Sequence, residues 1–305
     1  MSEQIENNGT TMENEGDIGG FLEFLNRMQA LGGSDSESPD IPGIGDGGNS
    51  GENDMDANDY HNKAVELVRR GKYKQAVALC MRGLSFYPNN VDLLADTIKY
   101  SSECGDNETA DQHYQALCER VPRNRWNWRA YTFSFDYLIG TVDDREPEIR
   151  TLLADYAKYL PFEEKRYMSE SELETALGNH QRAMEVLEEA VKQINNAAQC
   201  ALRLADMQLG HGMYEDVIKT TGYGLSASAE TQPSINIPYL YYVRALAEDA
   251  LLHKKAVESE ICVADVRKLR SEYENMSKQF PELMRHQSNI QTRIKMLNML
   301  EGAVA

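Results

Sequence analysis

Basic residues are scarce. The 305-residue chain has 31 Lys and Arg against 49 Asp and Glu, a formal net charge of −18. A surplus of that sign disfavours bulk attraction to nucleic acid or anionic lipid. Long apolar runs are also missing. The longest candidate, Pro238 to Leu252, is cut by Arg244, Glu248 and Asp249, so nothing approaches the roughly 18 apolar residues of a membrane span. The N-terminus has no basic start followed by an apolar run, and no secretory signal is expected. Cysteine is sparse and odd in number: Cys80, Cys104, Cys118, Cys200 and Cys262 never form a C-x-x-C pair. That spacing indicates neither a disulfide framework nor a zinc site. Most of these cysteines sit in helix-like runs as small hydrophobes, which fits a reducing, cytoplasmic setting.

Catalytic motifs are missing as well. The chain has no G-x-x-x-x-G-K-[ST], no G-x-G-x-x-G opening a helix after a strand, and no G-x-S-x-G. His61, His113, His180, His211, His253 and His286 never fall in metal-ligand spacing. Carboxylate pairs such as Glu163–Glu164 and Glu188–Glu189 read as solvated helix faces. The expectation is a protein that is not an enzyme, with no cofactor and no metal.

What is present is a strong division of composition. Residues 1–59 hold fourteen acidic groups and one basic residue, Arg27, and residues 1–57 hold eleven of the 21 glycines. Such a segment cannot bury enough apolar surface to offset the entropy of ordering, so residues 1–57 are expected to form a disordered acidic tail. One short amphipathic stretch, residues 18–31, interrupts it, with Phe21, Leu25 and Met28 at helical spacing between pairs of glycines. It is too short to be a stable helix alone. Two uses stay open: docking on this protein's own body as a latch, or binding an external partner.

From residue 58 the pattern is helical, and it repeats. Gly71 and Gly105, Ala76 and Ala110, Pro88 and Pro122, and Asn90 and Asn124 are each 34 residues apart, and Gly178 and Gly212 repeat that interval. From Gly71 to Gly178 is 107 residues, three periods plus five. The five extra residues are expected in a loop near Thr141 to Glu148. Units begin with Tyr60-to-Leu67, Leu94-to-Ser101, Trp128, Tyr167 and Ala201, and a degenerate sixth starts near Tyr239. A fixed 34-residue helix–turn–helix period resembles the tetratricopeptide repeat family. The resemblance covers about residues 57–255. It implies an all-α, right-handed helical-hairpin solenoid of about five to six repeats, with a concave groove. Residues 58–255 are the expected solenoid, and 256–305 the expected C-terminal helical cap. In the last helix Leu283, Ile290 and Leu297 are seven apart. That seam is either a cap contact or a short coiled coil forming a weak homodimer.

The helix expected over 125–139 carries the richest cluster. Trp126 and Trp128 are two apart and point roughly 200° from each other on a helix. Trp128, Tyr131, Phe135 and Leu138 follow the core face, whereas Trp126, Arg129, Phe133 and Tyr137 follow the face that the repeat register gives to the groove. Aromatics interleaved with Arg suit peptide capture; the alternative is that Trp126 packs on the neighbouring unit. Arg69, Lys99, Tyr239 and Tyr242 flank this face as further groove candidates. Co-chaperone members of the family hold a peptide carboxylate with Lys, Asn and Arg. Here the corresponding places hold His61, Val65, Asp96, Trp126 and Ala130, so that basic clamp is missing. The implied function is a scaffold or adaptor binding a peptide or protein segment in the groove. The alternatives are an acidic escort for a client protein, or a groove-based sensor of a small ligand.

Overall fold

The computed structural model describes residues 55–229, 236–258 and 261–304. The tail motif with Phe21, Leu25 and Met28 lies outside them. The described residues are helical with short connections, and no strand occurs among them.

Five helical hairpins follow one another: α1 (Ala57–Arg69) with α2 (Tyr73–Phe86), α3 (Val91–Glu103) with α4 (Asn107–Arg120), α5 (Trp128–Ile139) with α6 (Val142–Tyr159), α7 (Glu164–Ala176) with α8 (His180–Gln193), and α9 (Ala198–Gly210) with α10 (Tyr214–Ala229). A sixth, longer pair comprises α11 (Ile237–Val257) and α12 (Val263–Gln279). A 3-10 turn, Pro281–His286, and α13 (Gln287–Val304) close the chain. The fold is therefore all-α, a stack of repeated helical hairpins.

The periodic glycines explain the turns. Gly71, Gly105, Gly178 and Gly212 adopt φ of 73°, 79°, 77° and 70°, a region in which a Cβ is costly. Each reverses the chain just after a first helix. Starts are fixed by side-chain caps in the first two units. Asp56 and Asp59 form a reciprocal capping box at α1, and Asn90 and Asp106 accept from backbone amides at α3 and α4.

The third unit departs from this scheme. Its turn residue, Gly140, has a helical φ of −61°. The five extra residues do not form the expected loop. The stretch from Val142 is already helix, and α6 runs 18 residues where α2, α4 and α8 run 14. Pro147 lies inside α6, so the helix there forgoes one i→i−4 hydrogen bond.

The core runs through the stack as a continuous layer. Tyr60, Ala64, Ala76 and Cys80 are buried in the first hairpin, and Ile98, Ala110, Tyr114 and Leu117 in the second. Small residues set close approaches. A Cβ on Gly83 would lie 2.8 Å from Leu93 Cδ1 and 2.9 Å from Tyr60 Cγ, so glycine is required where α1, α2 and α3 meet. The expected core face of α5 is core: Trp128, Tyr131, Phe135 and Leu138 are all buried.

The C-terminal seam is used inside the chain. Leu283, Ile290 and Leu297 are fully buried, in a segment packed on α12 and, through the 3-10 turn, on α11. The coiled-coil reading is corrected here, because the residues that would face a second copy already face the chain's own last hairpin.

Candidate functional site

Successive first helices touch along one side of the stack, α1 with α3, α3 with α5, α5 with α7, α7 with α9 and α9 with α11. Second helices make no comparable contacts with one another among the described residues. The row of first helices is therefore the closely packed side, and it carries the candidate site.

In the middle of that row Lys99 of α3 lies over the Phe133 ring of α5, 4.9 Å from its centroid. Both side chains are half-buried. Burial pulls the Lys99 ammonium below its ordinary value, an effect opposed by the carboxylates of Asp136, Glu103 and Asp96 and reinforced by Lys165. An aromatic face and neighbouring acids thus surround the Lys99 side chain. One step toward the N-terminus, His61 Nδ1 of α1 is 2.6 Å from Asp96 Oδ2 of α3. Burial pushes the Asp96 carboxyl up, and the hydrogen bond and charge of His61 pull it back. A buried carboxyl and an imidazole therefore meet between α1 and α3.

The other sequence candidates fall elsewhere. Trp126 is not on a helix, because α5 starts at Trp128. The Asn124 side-chain oxygen accepts from the Trp126 and Asn127 amides at 2.9 and 3.0 Å, and this turn holds the chain out of helix until residue 128. The Trp126 side chain is 88% exposed and packs on no neighbouring unit. Arg129 sits in the first turn of α5. Tyr137 is buried and points away from the row. Its hydroxyl donates to Asp111 of α4 at 3.2 Å, and Arg145 pairs with that carboxylate while lying over the Tyr137 ring. Arg69 is exposed at the end of α1.

Tyr239 and Tyr242 are both buried, which corrects their placement on an open groove wall. The Tyr239 hydroxyl donates to the Glu282 carbonyl at 2.9 Å, and the Tyr242 ring lies 4.7 Å from that of His286. Burial pushes the Tyr239 hydroxyl up to about 12. The 3-10 turn after Pro281 covers them.

Two features escaped the sequence reading. Asp249, fully buried in α11, pairs with Arg293 of α13 at 2.9 Å. Its position inside the apolar run from Pro238 to Leu252 was the available signal. A cavity of about 320 Å³ also opens between α11 and α12, lined by Tyr241, Arg244, Glu272, Met276 and Phe280. Burial, followed by repulsion from Glu248, raises the Glu272 carboxyl. Among the described residues no group of three or more His, Cys, Asp or Glu is arranged to hold a metal ion, and no helix is long and apolar enough to cross a membrane.

Among solved structures, the chain is similar to a thermophilic TPR protein of Thermus thermophilus, at 18% identity over 64% of this chain and 99% of that one, with a TM-score of 0.44. It is similar also to a tetratricopeptide repeat protein of Parabacteroides merdae, at 16% identity over 81% and 86% of the two chains, with a TM-score of 0.45. The chain resembles tetratricopeptide repeat proteins. The resemblance rests on its own 34-residue hairpin period and its four left-handed turn glycines. No protein-family model matches the sequence, and no curated protein matches it.

Proposed function

We propose that the chain is a non-catalytic interaction scaffold that holds a peptide or protein segment along the row of first helices. One observation supports this reading above others: Lys99 is poised over Phe133 between two successive first helices. A half-buried cation on an aromatic face offers a partner both charge and contact area, and the surrounding helices are rigid enough to keep the geometry fixed. The stacked hairpins supply a surface on which His61 pairs with Asp96 and Lys99 lies over Phe133.

The test is binding by the full chain and by Phe133→Ala and Lys99→Ala variants, with circular dichroism as the control for folding. Each substitution is expected to weaken partner capture by about 1–3 kcal/mol if these residues are hot spots. Unchanged capture by both variants refutes the assignment to this face.

A further inference from the structure

Two histidines far apart in sequence stand side by side at the turns of successive hairpins. His180 is the first residue of α8, and His211 caps the end of α9. Their ring centroids are 6.1 Å apart and the ring planes are inclined at 56°, so the rings are not stacked. Both residues are exposed. No motif spacing links these positions. Only the packing of the fourth hairpin on the fifth, through the contact of α8 with α9, brings them together.

The ring nitrogens are disposed for ligation. His211 Nδ1 lies 2.8 Å from the Met207 carbonyl. A carbonyl only accepts, so Nδ1 carries the proton and the lone pair of the neutral ring is on Nε2. Histidines that bind metals are held in this way, with the other ring N–H given to a backbone carbonyl or a carboxylate. His180 has no hydrogen bond or ion pair among the described residues, so both of its nitrogens are available and its ring can turn.

Space around the pair is open. A Cβ on Gly210, the residue before His211, would meet nothing within 4 Å, and Gly210 is not among the glycines with positive φ. Neither packing nor backbone calls for glycine there, and its missing side chain leaves the approach to His211 clear.

The separation suits a shared ion. A ring nitrogen sits roughly 1.2 Å from the ring centre and binds zinc at about 2.0–2.1 Å, so a bound ion lies about 3.2 Å from the centroid. Two rings on one ion therefore stand at most about 6.4 Å apart, and about 5.2 Å at a tetrahedral angle. The observed 6.1 Å is within that limit, and a small turn of the His180 ring supplies the rest. Imidazole nitrogen suits zinc, copper and nickel, whereas magnesium and calcium take oxygen. The N-terminus of α8 disfavours a cation and the C-terminus of α9 favours one. These effects oppose each other, so the imidazoles carry the affinity.

We propose that His180 and His211 form a two-histidine site for a divalent transition-metal ion of the zinc and copper class, with water in the remaining positions, clipping the fourth hairpin to the fifth. The site does not depend on the scaffold reading.

The experiment titrates the full chain with Zn²⁺ in excess Mg²⁺, which occupies carboxylates without competing for imidazole. Histidine side-chain ¹⁵N resonances report which rings bind, and thermal melts report the clip. Expected is saturation at one ion per chain, with shifts at His180 and His211. The melting temperature should rise with Zn²⁺, because the ion binds the folded pair more tightly than separated histidines. His180→Ala and His211→Ala, both on exposed residues, should leave the metal-free melt unchanged. Each should weaken binding roughly tenfold or more, since loss of an outer-shell partner alone costs about 10–100-fold. His113→Ala is the control. His113 Nδ1 makes the same 2.8 Å bond to a carbonyl four residues earlier, at Thr109, with no second imidazole beside it among the described residues; this variant should bind as the parent does. The proposal is overturned by absence of saturable shifts at His180 and His211, by parental affinity in either of their variants, or by an equal loss in His113→Ala.

Discussion

Removing the arginine from the pair that fastens the end of the stack should cost more than any surface change. Asp249 is 0% exposed in the middle of α11, and Arg293 of α13, 18% exposed, donates to its carboxylate at 2.9 Å. His253 lies 3.1 Å from the other carboxylate oxygen but hydrogen bonds through Nδ1 to the Asp249 carbonyl. Tyr273 of α12 is buried beside the pair, and its hydroxyl is pushed far up, first by burial and then by the Asp249 charge. Arg293→Met keeps the apolar stem and removes the charge, leaving a carboxylate in a site closed to water. Breaking one side of a buried pair costs about 3–5 kcal/mol, whereas replacing both sides by apolar groups is often neutral. For a protein of this size that is a loss of roughly 2–4 °C in Tm per kcal/mol. The assay is urea denaturation of Arg293→Met, Asp249→Leu and the double variant, followed by far-UV circular dichroism. The double variant should recover most of what Arg293→Met loses. If Arg293→Met unfolds at the urea concentration of the parent, the pair does not hold α13 to α11 and the reasoning fails. Strictly additive losses in the double variant would refute the coupling separately.

Gly83→Ala should destabilise by about 1–3 kcal/mol through overpacking against Leu93 and Tyr60, read as a lower urea midpoint. Gly105→Ala has open space around its Cβ but a φ of 79°, so a smaller loss of about 1 kcal/mol or somewhat more, from backbone strain alone, is expected in the same assay. Glu164 accepts the Cys200 amide at 2.8 Å, and burial raises its carboxyl above the ordinary value of 4.5. The folded form therefore holds the proton more tightly than the unfolded chain. Stability should fall as pH rises from about 4.5 through the raised value. Urea midpoints of Glu164→Gln, which retains the acceptor, should be flatter over that window; an unchanged slope counts against the assignment.

The fold was largely legible because a backbone constraint repeats at a fixed interval. Four glycines required at left-handed turns, and small residues such as Ala76 and Ala110 at close helix contacts, leave the same mark in every regular unit. The third unit was misread in its insertion because helix and loop accept the same polar residues at the start of α6. The 18-residue span of α6, against 14 in α2, α4 and α8, shows that the extra length went into the helix. The candidate site was less legible. Helical register alone cannot place Trp126, since a side chain at Asn124 delays the helix start. It cannot show that Tyr239 and Tyr242 are covered, because their cover comes from residues some forty positions later.

Between the second and third hairpins the backbones of α4 and α5 stand apart, unlike α2 and α3 or α8 and α9, while α3 and α5 press closely together. Rings fill the wider gap: Tyr131 reaches the Val121 carbonyl, and Tyr114 faces Tyr137 with centroids 6.4 Å apart. Mechanically this is a door rather than a weld. The α3–α5 contact is the pin, and the tyrosines are a cushion whose rings tilt and slide at lower cost than interlocked backbones shear. The stack is expected to bend more easily at that joint than where successive hairpins press helix against helix.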